Sequence, residues 1–230
     1  MGRKTHRAVV KTAILVDGGF YRRRAQYHWG DKTGTERADE LFDYCMRLLS
    51  DKHEDRELYR IFYYDCPPME KKIYHPFLQQ QIDFSKTDLY AWTVDFFTAL
   101  KAKRKVALRM GALADGQAHY TIRPDIIKRL CRGGVKIEDL EEKDFMLKVE
   151  QKGVDMKIGI DIASLSYKHL VDQIILISGD SDFVPAAKLA RREGIDFMLA
   201  PMTATIKPSL YEHIDGLLNR TFSLREEKQD

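Results

Sequence analysis

The sequence is short of several features that would decide its class at once. Its longest apolar runs are strand-sized, well below the ~20 residues of a membrane-spanning helix. The N-terminal stretch MGRKTH has no apolar signal-peptide core, and His6 stands where a myristoylation signal needs Ser or Thr. A cytoplasmic protein that does not engage a membrane is the expectation. Cysteine is scarce: Cys45, Cys66 and Cys131 are odd in number and widely spaced, which indicates neither a disulfide framework nor a zinc knuckle. Net charge is nearly absent too, since 38 basic and 35 acidic residues leave +3. Bulk charge therefore does not announce a nucleic-acid binder, and only local clusters could make one. No GxxxxGK[ST] or GxGxxG occurs, which argues against a P-loop or dinucleotide site. Internal repeats and low-complexity tracts are missing as well.

What is present suits one soluble globular domain: 230 residues, 44% hydrophobic and 32% charged. We place the domain at 11–219, with tails at 1–10 and 220–230 and an elaboration at about 66–123. TAILVDGGF reads as a short buried strand ending at Asp17, with Gly18 and Gly19 making a turn. Residues 37–53 carry a helical face, ELYRIFYYDC (57–66) reads as a second strand, and 87–104 form a helix with a basic end. KVALRMGALA and QAHYTIR, joined through Asp115 and Gly116, predict a β-hairpin at a sheet edge, which a second copy could pair with. The acidic run 138–144 reads as a solvated turn, and 154–170 as a helix. The last third alternates strand 173–178, helix 182–193, strand 195–200 and helix 207–218. That spacing predicts an α/β fold with a mainly parallel sheet flanked by helices.

In such a sheet, ligands bind beyond the carboxyl ends of the strands. Asp17 arrives there on the first strand. ILISGDSDF delivers Asp180 and Asp182 from another, beside a helix start. Helix capping accounts for one of these carboxylates but not for all three. Gly153 breaks the chain before Asp155 and can turn it toward the same edge. Asp161 lies six residues on, about 120° around the helix, so Asp155 ranks above it. Carboxylates gathered in this way repel one another unless a hard divalent cation such as Mg²⁺ or Mn²⁺ neutralises them, and such ions commonly act on phosphates.

In this order and spacing, ILVDGGF, KGVDMKIGIDIASL and IILISGDSDFVPAAKLARREG resemble the NYN domain, in the LabA-like branch of the PIN-like nucleases. The resemblance implies a Rossmann-like fold and hydrolysis of RNA phosphodiester bonds with Mg²⁺ or Mn²⁺. It implies Asp17, Asp155, Asp180 and Asp182 as the catalytic and metal-binding set, with Asp161 as a possible fifth ligand. Many relatives carry Asn three residues after the first Asp, where this chain has Phe20. The missing polar group is absent or replaced by Ser178 or Ser181. FYRRRAQYHW places Arg22, Arg23 and Arg24 after the Asp17 loop among aromatic residues, a mixture suited to single-stranded RNA. KAKRK (101–105) and Arg191–Arg192 are lesser candidates. The histidines have no ligand spacing. Toprim, haloacid-dehalogenase and metal-dependent adhesion patterns do not fit the acidic residues. The alternative that stays open is an NYN-fold regulatory or nucleic-acid-binding module with weak catalysis or none.

Overall fold

The computed structural model describes residues 8–50 and 54–219. The N-terminal stretch MGRKTH, the end of the helix expected at 37–53 and the tail 220–230 fall, in whole or in part, outside these residues. The chain opens with β1 (Val9–Asp17), α1 (Gly18–Trp29), α2 (Gly34–Leu49) and β2 (Asp55–Asp65). There follow β3 (Lys72–His75), β4 (Gln80–Asp83), α3 (Asp88–Ala102), β5 (Val106–Met110), β6 (Ala112–Leu113) and β7 (His119–Ile122). Next come α4 (Pro124–Cys131), β8 (Phe145–Lys148), β9 (Gln151–Lys152), α5 (Val154–Tyr167) and β10 (Gln173–Ile177). The chain closes with α6 (Val184–Arg192), β11 (Asp196–Leu199), α7 (Pro208–Tyr211) and β12 (Gly216–Leu217).

Six strands form one parallel sheet in the order β12-β11-β10-β1-β2-β5. β1 lies near the middle, and its alternation builds both cores. Ile14 and Val16 face Tyr21, Leu41 and Phe96 on α1, α2 and α3. Ala13 and Leu15 face Ile158, Ile162 and Ala187 on α5 and α6. With both faces covered, β10 is buried along its whole length, as parallel strands generally are. The expected α/β architecture is the observed one. No helix among the described residues is long and apolar enough to cross a membrane.

Three local expectations are corrected. Gly18 and Gly19 are not a turn: they begin α1 directly, because the Asp17 side chain caps it by accepting from Phe20 N at 3.0 Å. A Cβ on Gly18 would lie 2.6 Å from the Tyr63 ring and from the Tyr64 carbonyl oxygen, so only glycine lets α1 start this close to β2. The hairpin at 105–123 does not form. β5 joins the main sheet beside β2, β6 pairs with β9, and β7 pairs with β8. The two halves of the expected hairpin thus take separate partners, β5 from the main sheet and β6 and β7 from 145–152, where Phe145–Lys148 alternates in exposure. A hairpin is present elsewhere, between β3 and β4. In the main sheet, the edge strands are β5 and β12.

The helix expected over 207–218 ends at Tyr211. Asp215 accepts from Phe197 N and from Arg191 Nε, both at 2.8 Å, which draws the chain back to the sheet as β12. The elaboration at 66–123 is interleaved with the main fold, since α3 and β5 belong to the core. The acidic run 138–144 is exposed except for Leu140 and Asp144. The KAKRK segment is structural in part: Lys103 pairs with Asp39, and Lys105 donates to the Leu58 carbonyl.

Gly18→Ala should destabilise the fold by about 1–3 kcal/mol through overpacking. Gly159→Ala, on α5 with open space around it, should stabilise by about 0.5–1 kcal/mol through helix propensity. Urea unfolding midpoints of the two variants check both signs.

Candidate functional site

The carboxyl ends of β1, β2 and β10 lie side by side. Val16 is in register with Ile177 and Asp17 with Tyr64, so Ser178 and Asp65 emerge next to Asp17. Asp17 is held at both oxygens. Oδ1 accepts from Phe20 N, and Oδ2 accepts from the Ser178 hydroxyl at 3.2 Å. Ser178 is fully buried and also accepts from Asp180 N at 3.3 Å. It ties two aspartates together and presents no outer face.

The loop after Ser178 is shaped by its own carboxylates. Asp180 accepts from Asp182 N at 3.0 Å, which closes the 3-10 turn Ser181–Phe183, and buried Phe183 anchors that turn to the core. Asp155 comes from a third direction. Gly153 adopts a left-handed conformation (φ 80°) immediately before α5, and Asp155 sits in the first turn of that helix. Helix N-termini thus stand behind Asp17 and Asp155 and partly offset the negative charge.

Electrostatics show which of the four share one field. Burial pushes the Asp155 carboxyl above its ordinary 3.8, and the charges of Asp17, Asp180 and Asp182 add to the rise. Burial likewise raises Asp17, reinforced by Asp180 and opposed by its hydrogen bonds and by Arg23. The structure brings Asp17, Asp155, Asp180 and Asp182 together in this sense. Among the described residues, no three acidic, His or Cys side chains close to the spacing of a ready-made ion cage. A group so arranged suits a cation that keeps much of its water shell, as Mg²⁺ does with one or two carboxylates.

A profile of the NYN domain matches residues 81–213. The chain belongs to the NYN domain family. No curated protein matches it in sequence. Among solved structures, it is similar to a Vibrio parahaemolyticus protein of unknown function, at 16% identity over 94% of this chain and 95% of that one, with TM-score 0.45. It is also similar to a Sir2–p53 peptide–NAD⁺ complex, at 13% identity over 91% and 88%, with TM-score 0.34. The NYN match includes Asp155, Asp180 and Asp182. Asp17 lies outside it, and the Ser178 hydrogen bond joins Asp17 to the same site.

Asp161 is not part of the acidic group of this NYN domain. Its Oδ2 accepts from the Tyr64 hydroxyl at 2.8 Å and pairs with Arg109 Nε at 3.0 Å, so its charge is already matched. The three arginines diverge. Arg22 pairs with Asp65 at 3.0 Å. Arg24 clamps the turn after β11, donating to the Met202 carbonyl at 2.6 Å and to Thr203 Oγ1 at 2.7 Å. Met202 and Thr203 are both left-handed there (φ 48° and 61°), a conformation that for Thr persists only when its surroundings enforce it. Arg23 is the exposed one, and its charge favours ionised Asp17.

Two residues at this edge went unnoticed in the sequence. Asp65 ends β2 and is 1% exposed, accepting from Tyr63 Oη at 3.0 Å and from Cys66 N at 2.8 Å. An aspartate closing the strand next to Asp17 was the available signal. Exposed Lys207 donates to Ser181 Oγ at 3.1 Å, across 26 residues of sequence, and no local pattern marks it. Phe20 lays its ring on the same loop: a Cβ on Gly179 would lie 2.9 Å from Phe20 Cε2.

Because the folded-state pKa of Asp17 is raised, the folded protein holds the proton more tightly than the unfolded chain does. Stability therefore falls as pH climbs from 3.8 through the raised value. Asp17→Asn, which keeps a capping oxygen, should melt above wild type at neutral pH in chelator. That advantage should disappear below pH 3.8 in thermal melts.

Proposed function

We propose that this NYN domain is a metal-dependent ribonuclease of the LabA-like branch, cutting single-stranded RNA in the cytoplasm. The observation that carries the reading is the convergence of Asp17 and the Asp180–Asp182 loop, tied by the Ser178 hydroxyl, with Asp155 entering at the start of α5 near enough for their charges to act on it. Gathered carboxylates whose charge the protein offsets only in part favour a bound cation. The donors are oxygens only, which selects hard ions, Mg²⁺ or Mn²⁺. Of Asp17, Asp155, Asp180 and Asp182, one or two would bind the ion directly and the others through its waters. When bound, it would polarise the scissile phosphate and lower the pKa of an attacking water.

The chain's own contributions follow from the placement of its side chains. Ser178 orients Asp17, and the Asp180 side chain sets the backbone that carries Asp182. Lys207, beside Ser181, and Arg23, beside Asp17, supply positive charge where the phosphate oxygens would gather negative charge. Arg24 holds the turn that leads to Lys207 and acts through it. Three free cysteines suit a reducing compartment.

Phe20 favours the second reading, an NYN module that binds RNA with little or no cleavage. A half-buried ring packed on Gly179 cannot supply the polar contact of an Asn.

Purified protein with Mn²⁺ or Mg²⁺ should cleave labelled single-stranded RNA, and Asp180→Asn should slow this about 100-fold or more. Mn²⁺ should also raise the wild-type melting temperature and leave that of Asp180→Asn nearly unchanged. Equal cleavage by the two proteins would defeat the nuclease reading. Binding of RNA without cleavage would establish the module instead.

A further inference from the structure

A cavity of about 170 Å³ opens beside the acidic group, between the end of β2, the start of α3 and the small strands β6, β8 and β9. Its walls are mainly apolar, with Pro68, Phe84, Leu113 and Leu147 among them. In its lining the buried Asp65 carboxylate pairs with Arg22. Asp65 ends the strand next to that of Asp17, which is in register with Tyr64, so this part of the lining adjoins the acidic group. Arg22 also lies on α1, the helix that Asp17 caps.

We propose that this cavity is a base-holding subsite, which takes one unpaired nucleobase of the RNA next to the phosphate at the aspartates. The inference rests on the RNA reading above and adds a specificity element to it. The size argues for a single ring system, because pockets for drug-sized ligands run to roughly 300–1,000 Å³. The charge argues against a phosphate. Arg22 is neutralised by a carboxylate that is 1% exposed, so this part of the lining offers no net cation for an anion to seek. What the pair does offer is a planar guanidinium locked in place, with donors beyond the Nη2 that binds Asp65. Flat bases splayed from single strands stack on aromatic rings and guanidinium planes and bond through their edges. Phe84 supplies the ring, Arg22 the plane, and exposed Gln151 an amide at the rim.

The test is binding, not cleavage, and uses wild-type protein in chelator. Fluorescence anisotropy is read on a short labelled single-stranded RNA and on a set in which each nucleotide in turn is made abasic. One position should weaken binding by about tenfold, the effect of losing one stacked base, while its neighbours change little. Leu147→Trp, which fills the cavity, should bind the intact RNA about tenfold more weakly and erase the difference at that position. A thermal melt confirms that this variant is folded. Tight binding with an even abasic profile would overturn the subsite and leave the nuclease reading standing. Failure to bind any RNA in chelator would overturn the subsite, while the Mn²⁺ cleavage assay decides the nuclease reading separately. An even profile with unaltered binding by Leu147→Trp would mark the cavity as unconnected with RNA.

Discussion

The rest of the site depends on one half-buried carboxylate, that of Asp17. It terminates the central strand, caps the helix that follows, and takes the Ser178 hydroxyl from the neighbouring strand. Each contact lowers the cost of keeping its charge, and burial and Asp180 raise it again. The protein accepts this opposition at the one edge where parallel strands and helix N-termini converge. Such a standing electrostatic cost is what a bound cation would relieve.

Around that point the two cores act as clamps. Alternate residues of β1 enter opposite hydrophobic layers, so the strand can neither rotate nor slip without exposing one set. The aspartate at its end is therefore placed by packing many residues away. A second clamp works at longer range. Arg24 holds the left-handed Met202–Thr203 turn, and the chain leaving that turn carries Lys207 back to Ser181. The basic run after the first strand consequently has three separate destinations, of which only Arg23 faces solvent near the acidic group.

Much of this was legible in the sequence because the signals are local. Strand-sized apolar runs ending in Asp17 and in SGDSD name both the sheet and the edge that carries the candidate site. Gly153 marks the turn that brings Asp155 to that edge. Local signals failed where distant partners decided the outcome. Asp115–Gly116 reads as a hairpin turn, yet His119–Ile122 pairs with Phe145–Lys148. Asp161 reads as a possible fifth ligand, ranked below Asp155, and Tyr64 and Arg109 take its charge. Asp65 closes its strand as Asp17 does, but the pairing of β2 with β1 and the Arg22 partner that give it a place at this edge are set by tertiary structure.

Hydrophobic period and the order of elements by themselves determine the α/β class, the parallel sheet and the three motifs that supply the aspartates. Both follow from residues close in sequence, where backbone geometry dictates which side chains share a face. Tertiary structure alone decides which charges remain unmatched, where each arginine goes, and that a cavity lined by Arg22 and Asp65 opens at the end of the strand next to that of Asp17. Those outcomes depend on burial and on partners far apart in the chain, and Coulomb interactions follow distance in space rather than separation in sequence.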